Sequence, residues 1–121
     1  MVMQDALDFI VTGWRNGPSK SATGYGLKVS RIDRDLHFKP EWKEVSLIVD
    51  GLKDPILVNI GKRSFWNGTC RELISKQIKD WMMAQGLIPW PARKPPKFVM
   101  SPLKPTVFKV VVSNENNGGR G

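Results

Sequence analysis

The sequence predicts an α+β fold, mainly β, in which a small sheet curves into a partial barrel beside one long helix. Three observations predict it. Short runs alternate apolar and polar residues about six times along the chain. One segment, from Leu73 to Met82, repeats its apolar residues at helical spacing. No strand–helix–strand rhythm and no internal repeat runs through the rest.

In order along the chain, Ala6 to Trp14 is expected to be a strand with Leu7, Phe9 and Val11 on one face. Arg15-Asn16-Gly17-Pro18-Ser19-Lys20-Ser21-Ala22-Thr23 follows as a turn-rich loop. Tyr25, Leu27 and Val29 alternate with Gly26, Lys28 and Ser30, a strand with one wet face. Arg31 to Pro40 is ambiguous and has room for a short helical turn. Val45 to Val49 is a strand, Asp50-Gly51 a turn, and Ile56 to Ile60 the returning strand. Lys62 to Gly68 is a second loop. Thr69 and Glu72 have the spacing of a capping box and so open the long helix, which Gly86 ends. Pro89, Pro91, Pro95 and Pro96 forbid regular structure. Phe98 to Met100 and Val107 to Val112 close the sheet. One domain over residues 1–113 and a mobile Asn/Gly tail over 114–121 are expected.

A chain of 121 residues suits one core. At this size folding buries roughly 65% of the unfolded surface, so neither a disulfide nor a metal is required. The single Cys70 forms no internal bridge and fits a small buried residue in a reducing compartment. No apolar run reaches the ~18 residues of a transmembrane helix, and the N-terminus lacks a signal-peptide pattern. A cytoplasmic protein with no membrane partner is expected.

Charge narrows the function. The net charge is +8, but it is not evenly spread. No Asp or Glu occurs from Phe9 to Ile32, from Pro55 to Arg71, or from Trp81 to Asn114. Those stretches hold Arg15, Lys20, Lys28 and Arg31; Lys62, Arg63 and Arg71; and Arg93, Lys94, Lys97, Lys104 and Lys109. Brought together, they make a continuous positive face. A polyanion is its natural partner, because each cation placed on a phosphate releases condensed counterions.

Catalytic patterns are weak. His37-x-Lys39 mimics the opening of a phospholipase-D-type nuclease motif, but Glu44 stands where that motif has Asp. Glu41-x-Lys43, with Asp33 or Asp35 upstream, mimics a metal-dependent nuclease, yet these acids share one short irregular segment instead of adjacent strands. Solvated charges around a Trp42 anchor explain them as well. No Cys/His set has zinc spacing, and no Gly-rich loop leads into a helix. No metal, cofactor or catalytic residue is expected.

The two acid-free loops fit nucleic acid better. Trp14-Arg15-Asn16 with Ser19-Lys20-Ser21 combines a cation, an amide and hydroxyls, and Lys62-Arg63-Ser64 with Trp66-Asn67 repeats the combination. Arg pairs with guanine O6 and N7, Asn with adenine N6 and N7, and Ser and Lys serve phosphate oxygens. The structural alternative makes Trp14, Phe65 and Trp66 core aromatics between ordinary polar loops. Pro91 to Lys97 carries Arg93, Lys94 and Lys97 on a stiff backbone, suited either to clamping a phosphate or to joining helix to strand.

The order of these features resembles a known family. Gly24-Tyr25-Gly26-Leu27-Lys28-Val29-Ser30 precedes Arg34-Asp35 and Trp42; then come Ser64-Phe65-Trp66, a helix, Gly86-Leu87-Ile88-Pro89-Trp90-Pro91 and Pro95-Pro96-Lys97-Phe98. Over roughly Ala6 to Val112 this resembles the C-terminal DNA-binding domain of restriction endonucleases of the NgoFVII kind. That domain is similar to those of BfiI and EcoRII and to the plant B-three domain. The resemblance implies a seven-stranded open pseudobarrel with one long and one short helix, gripping the DNA major groove between two arms. By position the N-arm is Trp14 to Ala22 and the C-arm Lys62 to Asn67, the same two loops. The seventh strand would come from Arg31 to Trp42 or from Leu87 to Pro91. In such enzymes a separate nuclease domain of the same full-length chain cuts, and this chain has no room for one.

The leading expectation is therefore sequence-specific recognition of double-stranded DNA, without catalysis, by two cationic tips lying side by side. Arg15, Asn16, Lys20, Arg63 and Asn67 would read bases; Ser19, Ser21, Lys62 and Ser64, with Arg93, Lys94 and Lys97, would hold the backbone; Trp14 and Trp66 would flank them. The rivals are a metal-dependent nuclease using Asp35, Glu41 and Lys43, a single-strand or RNA binder using exposed Trp, and a protein-interaction module.

Overall fold

A computed structural model describes residues 7–17, 24–67, 71–91 and 93–113. Seven strands and three helices follow in the order β1 (Phe9–Arg15), β2 (Tyr25–Lys28), α1 (Arg31–His37), β3 (Glu44–Val49), β4 (Ile56–Asn59), α2 (Arg63–Trp66), β5 (Glu72–Ile74), α3 (Lys76–Ala84), β6 (Lys97–Lys104) and β7 (Val107–Val112). The strands form one sheet in the order β4-β3-β7-β6-β1-β2-β5. All neighbours are antiparallel except β3 and β7. The edge strands β4 and β5 come into contact, so the sheet is nearly a closed barrel. Near-closure protects the two edges from pairing with other chains.

Alternation builds the interior. Phe9 and Val11 of β1, Leu27 of β2, Val45 and Leu47 of β3, Ile56 and Val58 of β4, Leu73 of β5, Phe98 and Met100 of β6, and Phe108 and Val110 of β7 are all buried. Each is flanked by residues pointing outward, as the pleat requires. Leu7, expected on the β1 face, precedes the strand and is exposed.

The helices lie at the two ends of the barrel. α3 follows β5 at the end where β1 finishes and β2 begins. Its Ile78, Trp81 and Met82 are buried, and Trp81 Nε1 donates to the Asp50 carbonyl at 3.0 Å, so the helix reaches across to the end of β3. α1 follows β2 at the opposite end. His37 stacks on Phe9 with centroids 4.3 Å apart, and the next residue, Phe38, stacks on Phe108 at 5.0 Å. No helix among the described residues is long and apolar enough to cross a membrane.

Two sequence expectations change here. The long helix does not start at a Thr69–Glu72 capping box. Glu72–Ile74 is instead the seventh strand, paired with β2 through Gly26↔Ile74, Leu27↔Leu73 and Lys28↔Glu72. The helix starts later, with Ser75 as N-cap accepting from the Gln77 N–H at 3.0 Å, and runs nine residues. Thr69 and Cys70 lie outside the described residues, as does the expected tail over 114–121. Neither 31–42 nor 87–91 supplies a strand; the first holds a two-turn helix. The C-terminal stop stands: Gly86 has φ +73°, its N–H donates to the Met83 carbonyl, and Leu87 N–H donates to that of Met82. That pair of bonds is a Schellman cap.

Candidate nucleic-acid interface

The two acid-free loops leave opposite ends of one short strand pair. β1 and β2 are joined by the first loop, whose neck closes where Asn16 N–H donates to the Gly24 carbonyl at 2.9 Å. The second loop returns into β5 at the other end of β2. There Val29 N–H donates to the Arg71 carbonyl at 2.9 Å, and Arg71 Nε donates back to the Val29 carbonyl at 3.0 Å. The loops are thus not side by side but stand at either end of the β2–β5 strip. From Tyr25 to Val29 the strip is about 13 Å long at ~3.3 Å per residue.

At the first loop, Trp14 is half-buried and Arg15 is turned inward along the chain's own surface. Arg15 Nη1 donates to the Trp90 carbonyl at 2.8 Å, and its Cζ lies 5.1 Å from the Trp90 ring centroid. Trp90 is buried and packs edge-on against Tyr25 at 5.5 Å. Gly13 makes this possible. Its N–H donates to the Pro96 carbonyl at 2.8 Å, and a Cβ there would stand 3.1 Å from the Pro96 ring and 3.2 Å from Trp90. Arg15, expected to read a base, is therefore engaged with Trp90 and would have to leave it to present both edges of its guanidinium. Asn16 is exposed. Ser19, Lys20 and Ser21 lie outside the described residues. An open hollow of about 360 Å³ sits beside the loop's neck between Tyr25, Ile74 and the first turn of α3, with Lys76, Lys79 and Asp80 in its wall.

The second loop contains the one-turn helix α2, which the sequence reading missed. Phe65 is fully buried; Lys62, Ser64 and Trp66 are half-buried; Arg63 and Asn67 are exposed. Trp66 Nε1 donates to the Ile60 carbonyl at 3.1 Å, and its ring meets Phe65 at 5.2 Å. Phe65 thus belongs to the core, and Trp66 packs against it while staying half-buried. What holds α2 in place is Arg34, a residue without a role in the sequence reading. Only 5% exposed, it donates from Nη1 to the Phe65 carbonyl at 2.7 Å and lies 5.4 Å from the Trp66 ring centroid. Its Nε and Nη2 reach Asp35 Oδ1 at 3.0 and 2.9 Å. Burying a guanidinium is costly unless its donors are used, and here all three nitrogens are.

The proline segment brings Arg93 and Lys94 to the end of the barrel where the first loop leaves. Both are exposed, and Lys94 N–H donates to the Pro91 carbonyl at 3.0 Å. Lys97 is exposed at the start of β6 and stands opposite Thr12 of β1. The first loop and the proline segment are therefore neighbours, and the second loop stands apart from both.

The nuclease-like acids do not converge. Asp35 is paired to Arg34, the Asp33 carboxylate accepts from the α1 N-cap Ser30 Oγ, and His37 lies flat on Phe9. Among the described residues no three His, Cys, Asp or Glu side chains come together as a metal site requires. No protein-family model, curated protein or solved structure matches this chain.

Proposed function

We propose that this chain recognises a specific sequence in double-stranded DNA, straddling the major groove with two arms and carrying no catalytic groups of its own. One observation carries the reading: two acid-free, cation-bearing loops rise from the two ends of a strip about 13 Å long, close to the ~12 Å width of the major groove. Asn16 on one arm and Arg63 and Asn67 on the other are exposed and of the types that read base edges. Lys62, Ser64, Arg93, Lys94 and Lys97 suit phosphate contacts that set register without reading sequence. On this reading, and on the family resemblance, the chain is the target-recognition domain of a restriction endonuclease, with cutting done by a nuclease domain of the same full-length protein. Selection of bound sequences from a randomised duplex pool tests it. One enriched short motif supports the reading; a pool that stays random, or stronger binding to single strands, counts against it.

A further inference from the structure

We propose that Lys28 and Arg31 hold DNA phosphates on a ledge along β2, joining the two arms into one continuous contact; the proposal rests on the duplex reading above. Lys28 points outward, since Leu27 and Val29 on either side are 1% and 0% exposed while Lys28 is exposed. In register it stands between Thr12 of β1 and Glu72 of β5. The residue after it, Val29, is tied to Arg71 by the two hydrogen bonds that close the return of the second arm. Lys28 therefore sits on rigid backbone where that arm meets the strip. Arg31 opens α1 just beyond, and is also exposed.

Glu72, opposite Lys28 in register, is buried and forms no ion pair with it. Asp33 accepts from Ser30 Oγ at 2.9 Å and faces His37, and Asp35 is bound by Arg34. Among the described residues neither Lys28 nor Arg31 has an ion-pair partner within the chain. An isolated surface lysine is ordinarily just solvated. Two unpaired cations on the one stretch of chain that links both arms are where a phosphate backbone crossing the strip would run. They contact phosphate, not bases, so their effect is independent of sequence.

The test is the salt dependence of binding to the selected duplex and to a scrambled one. Lys28→Ala and Arg31→Ala are each expected to flatten the slope of log affinity against log salt by about 1, weaken both duplexes by the same factor and leave the melting temperature unchanged. Lys109→Ala, on the outer face of β7 and separated from β2 by β6 and β1, keeps the unaltered slope. Unchanged slopes in both ledge variants, with duplex binding intact, overturn the ledge and leave the reading of the arms standing. Slopes that fall on single-stranded DNA and not on duplex overturn it as well. Absence of duplex binding by the unaltered protein overturns the reading itself and the ledge with it.

Discussion

Arg15 and Trp90, 75 residues apart in sequence, are joined twice: by a hydrogen bond of 2.8 Å from Nη1 to the backbone carbonyl, and by the guanidinium lying 5.1 Å from the indole centroid. The pair fastens the root of the first arm to the segment between α3 and β6. Arg15→Ala removes a charged hydrogen bond worth ~1.5–3 kcal/mol and a cation–π contact worth ~0.5–1 kcal/mol. We expect a stability loss of about 2 kcal/mol in urea unfolding, and weaker binding of every duplex by a similar factor. Relaxed preference at a single base pair with unchanged stability would instead make Arg15 a reader.

Arg63 is expected to behave in the opposite way. It is exposed on α2, and among the described residues its side chain has no hydrogen-bond or ion-pair partner. Arg63→Ala should leave the melting temperature within the usual surface range and cost ~1–3 kcal/mol of binding at one position of the target site. Repeating the duplex selection with the variant checks this: the recovered motif should lose preference at one base pair and keep the others.

Arg34 supports the second arm from below. Arg34→Met leaves the Phe65 carbonyl without its donor and Asp35 without its cation, at a cost of ~2–4 kcal/mol. Trp66 reports the change directly, because its ring lies against the guanidinium. Its fluorescence should shift and α2 should become more open to proteolysis, while Arg34→Lys should recover only part of the loss, lacking the planar fork.

Gly26 is required by the close approach of β2 and β5. A Cβ at this position would run into the Leu73 carbonyl oxygen, which is backbone and cannot swing away. Gly26→Ala is expected to push β5 off the sheet edge and cost ~1–3 kcal/mol, read as a lower unfolding midpoint. Ser75→Ala should cost ~1 kcal/mol through loss of the α3 cap. Thr69→Ala should not act through that helix, which begins after it.

This last contrast shows where the sequence was legible. Strands such as Val45–Val49 and Val107–Val112 alternate cleanly because one face fills the barrel, and the period survives in the sequence. Glu72-Leu73-Ile74 carries too few residues to display a period of its own. Its apolar pair fits the helical phase of Ile78 and Met82 equally well. What makes it a strand is the edge of β2, a partner more than forty residues away in sequence. α1 stayed ambiguous, with room only for a helical turn, for a different reason: its amphipathic signal is inverted. The residue it buries is charged, Arg34, while Ile32 and Leu36 are 72% and 70% exposed. The two acid-free loops were legible because missing acids are a property of sequence alone. The engagement of Arg15 by Trp90, and of α2 by Arg34, was not, because each depends on a distant residue that only the fold brings near.

The central claim is that both arms meet one double helix across the β2–β5 strip, and cross-linking tests it most directly. In a Cys70→Ser background, Asn16→Cys and Asn67→Cys, each alkylated with a photoreactive reagent, place a cross-linker on an exposed arm position. The account predicts that both attach to the same selected duplex, at bases a few pairs apart facing one major groove. Attachment from only one position, or from neither while binding persists, would contradict it.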